Sequence, residues 1–159
     1  MRRITCLLLV AAALLARPAR LAAQASATTA ATATVLQALT VTATGDLLFG
    51  TIAFNATKTI APAAGGTFQV RGEPGMPVSV TFTLPATLAH PTLPLSAWTG
   101  LVNTTPSSNS AVAFAPSAVP QTLSAGSGRL YLWLGATLTA LSTPSGTYTA
   151  PVTITVVYN

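Results

Sequence analysis

Charged residues are scarce in this chain, and most of them lie near its beginning. Lysine and arginine number 7 and aspartate and glutamate 2, so charged side chains make up 6% of the 159 residues. Four of the basic residues precede position 25, and the remainder of the chain has a formal net charge of +1. The sequence therefore lacks the clustered basic face that nucleic-acid binding requires, and we expect no nucleic-acid partner.

Cysteine and catalytic side chains are nearly absent as well. The single cysteine, Cys6, excludes any disulfide within the chain, and histidine is limited to His90. The two carboxylates, Asp46 and Glu73, each stand beside a turn-forming glycine or proline. Catalysis and metal binding need several convergent polar groups. We therefore expect no catalytic residue, no cofactor and no metal site, and a protein that is not an enzyme.

The first 25 residues have the pattern of a cleavable signal peptide. Arg2 and Arg3 form a positive start, and residues 7–16 form a short apolar run. Residues 23–25 (Ala-Gln-Ala) supply the small side chains of a cleavage site, and residues 25–27 fit nearly as well. The run is shorter than the roughly 20 residues that span a bilayer, so we expect no transmembrane anchor. We expect export to the periplasm, the outer surface or the extracellular space.

Threonine, valine and alanine dominate the rest and alternate with a period of two, which is typical of half-buried strands. The strongest alternation predicts a hairpin over 67–84 with its turn at 73–76, and strands over 129–141 and 147–159. Weaker patterns predict strands over 31–42, 46–53, 57–61 and 111–115. The stretch 87–110 is rich in proline, serine, threonine and asparagine, which predicts a long loop.

Short strands separated by turn signals indicate an all-β fold. We predict a single antiparallel β-sandwich, immunoglobulin-like or pilin-like, over residues 35–159, with a closed barrel as the alternative. The alanine- and threonine-rich residues 26–34 are expected to form an N-terminal arm or an added strand.

The end of the chain carries the main indication of function. Gly146 is fourteenth from the end, Tyr158 is penultimate, and apolar residues alternate between them. This resembles the last strand of pilin subunits assembled by the chaperone–usher route, and residues 33–51 resemble the opening of spore-coat-U-type pilins. The resemblance implies neighbouring subunits, copies of the chain or related proteins, and a periplasmic chaperone as partners. Strand addition would then involve Ala31, Ala33, Val35, Gly146, Val152, Ile154, Val156 and Tyr158.

A second likeness covers most of the chain. It rests on residues 49–52 (Phe-Gly-Thr-Ile), 65–68 (Gly-Gly-Thr-Phe), 72–75 (Gly-Glu-Pro-Gly), 130–136 (Leu-Tyr-Leu-Trp-Leu-Gly-Ala) and 146–148 (Gly-Thr-Tyr). These segments resemble domain-of-unknown-function family 4402, which consists of exported bacterial β-rich proteins. The resemblance implies the fold and the export, and it transfers no catalytic residue.

Two functions are compatible with these patterns. The first is an exported structural or assembly subunit of the bacterial cell surface, pilin-like and joined by β-strand addition. The alternative is a self-contained, adhesin-like β-sandwich that binds a surface glycan or protein through residues 87–110 and the aromatic side chains of Trp98, Tyr131 and Trp133.

Overall fold

The computed structural model describes residues 26–159, so the predicted signal peptide lies outside the described residues. Residues Val35–Asn159 form one compact unit, and residues 26–34 are exposed and form no strand. The strands are β1 (Thr40–Gly45), β2 (Thr57–Ile60), β3 (Gly66–Arg71), β4 (Pro77–Thr83), β5 (Leu95–Asn103), β6 (Val112–Phe114), β7 (Val119–Thr122), β8 (Arg129–Thr139) and β9 (Thr153–Tyr158). No helix in this part of the chain is long and apolar enough to cross a membrane.

The strands form two antiparallel sheets, which confirms the predicted β-sandwich. The larger sheet has the order β1-β3-β8-β5-β6, and β2 pairs with the second half of β8 beside β3. The smaller sheet has the order β7-β4-β9. Because neither sheet is joined to the other by a ladder within residues 26–159, the closed-barrel alternative is wrong.

Strand β8 supplies the floor of the whole core. Its alternate leucines and alanines, from Leu130 to Leu138, are at most 2% exposed, whereas Tyr131 and Thr137 on the other face are only half-buried. This alternation follows from the period of two in a strand.

Two hydrophobic clusters divide the core. In the first, called the closed half below, residues from both sheets meet: Val70, Val78, Val80, Val102, Leu123, Leu130, Leu132 and Ile154. In the second, called the open half, the larger sheet is covered by segments without strands. Its buried members are Phe49, Leu93, Leu95, Ala136, Leu138 and Ala140.

The predicted hairpin over 67–84 is wrong, although its turn and both strands are present. β3 and β4 belong to different sheets. The turn lets the chain cross between them: the Met76 N–H donates to the Glu73 carbonyl at 3.3 Å, and Gly75 adopts a φ of 74° that glycine accepts without strain.

The predicted loop over 87–110 is also wrong, because it contains β5, and β7 was not predicted at all. Strand β5 has a bulge between Ser96 and Thr99, where Ala97 takes a φ of 47°. An extra residue in a strand shifts the alternation by one position, so the sequence pattern no longer repeats with a period of two.

The weaker patterns have mixed outcomes. β2 and β6 confirm the strands predicted over 57–61 and 111–115. The strand predicted over 31–42 begins only at Thr40, and none forms over 46–53. The strand predicted over 147–159 begins only at Thr153, because residues 147–152 have no neighbouring strand in the described part of the chain.

Candidate strand-acceptor site

Strand β9 packs one face on the core and leaves the other in solvent. Ile154 is 9% exposed, and Val156 and Tyr158 pack against the closed half. Thr153, Thr155 and Val157 are exposed on the opposite face. The side chains of β9 thus stabilise the closed half, which leaves its backbone groups as the part available to a partner.

The register of β9 decides which backbone groups are available. The Asn159 N–H donates to the Pro77 carbonyl at 3.2 Å, so hydrogen-bonded pairs with β4 fall at odd-numbered residues of β9. The N–H and C=O groups of Ile154, Val156 and Tyr158 therefore point away from β4. No strand of residues 26–159 pairs with that edge, so these groups form an open edge.

The other edge strands mostly carry features that block pairing. β2 contains Lys58, β7 contains Pro120, and β6 is only 3 residues long. β9 and β1 contain neither charge nor proline. These two strands lie next to each other, one in each sheet. The register of β1 shifts between Ala43 and Gly45, whereas that of β9 is regular, so β9 is the edge without a blocking feature.

The Tyr158 hydroxyl fixes one end of this side. It accepts a hydrogen bond from the Glu73 N–H at 2.7 Å and donates one to the Gln37 carbonyl at 2.6 Å. The Gln37 N–H in turn donates to the Glu73 carboxylate at 3.1 Å. Leu39 packs against the closed half just beyond. The chain entering β1 is thereby held against β9 and the turn after β3.

Residues 147–152, which precede β9, have the exposure of a strand but no ladder. The even-numbered residues Tyr148, Ala150 and Val152 are half-buried, and the odd-numbered residues are exposed. Among the described residues, no backbone partner is found for any N–H or C=O group of 145–152. Residues 46–49 show the same combination: Leu47 and Phe49 turn inward, Leu48 is exposed, and their backbone groups are unpaired within 26–159.

These two segments are the walls of a groove of about 1210 Å³ over the open half. Its floor includes Leu134, Leu138 and Leu93. Leu48, Phe54 and Leu141 at the groove are 73%, 67% and 47% exposed, which is unusual for large apolar side chains close together.

Trp98 reaches the groove because of the bulge in β5. Thr99 is opposite Gly135 and Ser96 is opposite Thr137, so two residues of β5 occupy the space of one. The bulge turns Trp98 to the inner face, where it packs against the open half and lines the groove. A non-glycine residue with positive φ, such as Ala97, costs of order 1 kcal/mol or more and is often found next to functional sites.

The start of the groove wall at 141–152 is attached to the segment around Thr92. The Leu141 N–H donates to the Thr92 carbonyl at 3.0 Å, and the Thr143 hydroxyl oxygen lies 3.1 Å from the same carbonyl oxygen and 2.7 Å from the Thr92 hydroxyl oxygen. His90 places its Nδ1 2.7 Å from the Thr92 hydroxyl oxygen and packs edge-on against Tyr148, with ring centroids 5.5 Å apart. His90 therefore has a structural role in holding this wall.

Comparison with known proteins gives one match. The family model described as domain of unknown function (DUF4402) matches residues 27–158. The chain belongs to this family. No curated protein and no solved structure matches the chain. The matched residues of this DUF4402 chain include β9, both walls of the groove and the arm, and the family carries no assigned function.

The structure brings together some of the predicted strand-addition residues of this DUF4402 chain and not others. Ile154, Val156 and Tyr158 form the open edge, and Gly146 and Val152 line the groove next to it. Ala31, Ala33 and Val35 are exposed and lie outside any strand, with Val35 91% exposed. The groove wall at 46–54 was not predicted as part of the site, and Trp98 was predicted only as part of the alternative glycan- or protein-binding surface. The apolar pattern over 46–53 was a signal for the wall.

The three aromatic residues considered for glycan stacking do not share one surface in this DUF4402 chain. Trp98 faces the groove, whereas Tyr131 and Trp133 stack on the outer face of the larger sheet, with centroids 6.3 Å apart. Trp133 is 8% exposed there. Within the described residues, no three of the histidine, cysteine, aspartate and glutamate side chains come together as a metal site would require.

Proposed function

We propose that the chain is an exported structural or assembly subunit of the bacterial cell surface, which joins other copies of itself or related subunits by β-strand addition. The observation that supports it most is the open edge of β9, where the backbone groups of Ile154, Val156 and Tyr158 are unpaired in the described part of the chain.

An open edge of this kind is a template for another strand. Natural proteins usually block such an edge with charge, proline or short length, and β9 has none of these over Thr153–Tyr158. A strand that pairs here gains main-chain hydrogen bonds along the edge, which is how β-augmentation gives affinity. The arm at 26–35 has Ala31, Ala33 and Val35 on one side of an extended chain and is the predicted donor.

The edge can be tested with a pair of substitutions at one position. Val156→Pro removes the N–H that points to the open edge and leaves the hydrogen bonds to β4 intact. Val156→Ala is the matched control, because it loses similar packing but keeps the N–H. We expect the full chain, secreted from a bacterial host, to form multimers as wild type and as Val156→Ala, and to remain monomeric as Val156→Pro. Light scattering over a concentration series measures this.

Multimers of Val156→Pro equal to those of Val156→Ala would contradict pairing at β9, and a wild type that is monomeric at every concentration would contradict self-assembly. Deletion of residues 26–35 then identifies the donor. Loss of multimers with an unchanged fold would assign the arm, and unchanged multimers would exclude it.

A further inference from the structure

We propose that the groove between residues 46–54 and 141–152 is an acceptor site for an extended peptide strand of another subunit, one that carries large apolar side chains at alternate positions. The inference rests on the proposed function and adds to it the place where the incoming side chains are bound and their chemistry.

The backbone of the two walls indicates a peptide. Residues 46–49 and 147–152 alternate between inward and exposed side chains, as strands do, yet their N–H and C=O groups have no backbone partner within 26–159. Unpaired backbone groups in a line can accept the hydrogen bonds of another extended chain, as the groups of a sheet edge do. An extended peptide offers donors and acceptors in a line and can pair with such a wall, whereas an acyl chain offers none.

The second wall continues directly into β9. Val152 lines the groove, and Ile154 is the first residue of the open edge that points its backbone groups outward. A strand bound along the edge of β9 and extended past Thr153 would therefore run beside 145–152 and place its inward side chains in the groove. This would complete the strand that the sequence pattern predicts over 147–159.

The size and lining of the groove specify the side chains. A volume of about 1210 Å³ exceeds the range of 300–1,000 Å³ that is common for ligand pockets. The floor and mouth are formed largely by leucine and aromatic side chains, and Asp46 is the one charged residue among those that line it. Leucine, isoleucine or phenylalanine at alternate positions would bury the most apolar area here, and a charged segment would lose its hydration without a partner.

The same argument separates this occupant from the arm. Ala31 and Ala33 bring one methyl group each and would leave most of the groove unfilled, since buried apolar area sets the gain. One strand occupies both the edge of β9 and the groove beyond Thr153, and the groove favours a bulkier segment from a related subunit over the arm.

Calorimetry with synthetic peptides on the full secreted chain tests the site. The first peptide alternates leucine and threonine and has terminal lysines for solubility; the second replaces each leucine with alanine. Two further peptides keep leucine but are N-methylated at every other amide: one at the odd-numbered positions and the other at the even-numbered positions. Alternate N–H groups of a strand point to opposite sides, so one of the two peptides loses the donors that face the wall. We expect saturable binding of the first, and binding at least about tenfold weaker for the second and for at least one N-methylated peptide.

Exposed residues at the mouth allow variants that leave the core intact. We expect Leu48→Asp and Phe54→Asp each to weaken binding of the leucine peptide by about tenfold or more. Val112→Asp is the control, because Val112 is 67% exposed and does not line the groove, and it should bind as the wild type does.

Each outcome decides between the two proposals. Absence of binding by the leucine peptide, equal binding by all four peptides, or saturable binding of dodecanoate in its place would overturn the acceptor site. Multimers that are lost in Val156→Pro would still support assembly at β9. Conversely, a wild-type chain that stays monomeric but binds the leucine peptide would support the groove as an acceptor site and contradict self-assembly.

Discussion

The two halves of the core use the same strand in different ways. In the closed half, Leu130 and Leu132 of β8 are covered by β4 and β9 of the smaller sheet. In the open half, Leu138 lies under residues 46–54 and 141–152, which form no strand, and a groove of about 1210 Å³ remains. Leucine side chains of β8 point inward in both halves, so β8 does not explain why only the open half contains a groove.

The two halves differ in the segments that pack over β8. A strand with a ladder on one side, such as β9, is held at a fixed distance from the opposite sheet, and its side chains pack without gaps. Segments without a ladder are attached only at single points, such as Thr143 at the Thr92 carbonyl. A sandwich half closed by unpaired segments is therefore both the least packed part of the molecule and the part most able to accept a strand.

The largest expected effect comes from matched truncations on β8. Leu132→Ala should lower the free energy of unfolding by about 3–5 kcal/mol, because a sealed cavity forms in the closed half. Leu138→Ala should cost about 2 kcal/mol, because the lost volume joins an existing groove and the cavity contribution is small. Urea denaturation of both variants measures the difference. Equal losses would show that the two halves are packed alike.

The fold class could be predicted from alternation alone, but the partners of each strand could not. β8 shows its period over eleven residues, and burial alternates with it at both ends of the strand, whereas residues 132–136 are all buried. The hairpin over 67–84 was wrong because a turn between strands looks the same in sequence whether the strands pair or cross between sheets. β5 was missed because the bulge at Ala97 interrupts its period.

The sequence predicted the strand residues of the candidate site but not the groove, because alternation shows where a strand is and not what pairs with it. Ile154, Val156 and Tyr158 follow from the alternating pattern, which shows that a strand is there. The pattern over 147–152 predicts an equally good strand, yet none forms without a neighbour to pair with. The groove joins residues about 46–54 and 141–152, which are distant in sequence, so no local pattern reveals it.

An intermediate effect is expected at the Tyr158 hydroxyl. Tyr158→Phe removes the hydroxyl, so the Glu73 N–H loses its acceptor and the Gln37 carbonyl loses its donor. The loss of these two hydrogen bonds should lower the free energy of unfolding by about 1–2 kcal/mol. Tyr131→Phe is the control on the outer face, where the hydroxyl only accepts a bond from Gln69 Nε2 at 3.0 Å, and about 0.5 kcal/mol is expected. Thermal unfolding compares the stability lost by the two variants. A larger loss for Tyr131→Phe would mean that the hydroxyl on the outer face contributes more to stability than the Tyr158 hydroxyl.

The smallest effect is expected in the open half, at Thr143. Thr143→Val keeps the shape of the side chain but removes the hydroxyl that contacts the Thr92 carbonyl and hydroxyl oxygens, so the stability of the whole domain should fall by about 1 kcal/mol or less. The local effect should be clearer: the Leu141 N–H, which donates to the same carbonyl, should exchange with solvent faster while the amides of β4 and β9 do not change. Hydrogen-exchange mass spectrometry resolves these segments. Faster exchange in β9 as well would mean that the two halves open together, and the groove wall could then not yield to an incoming strand without loosening the closed half.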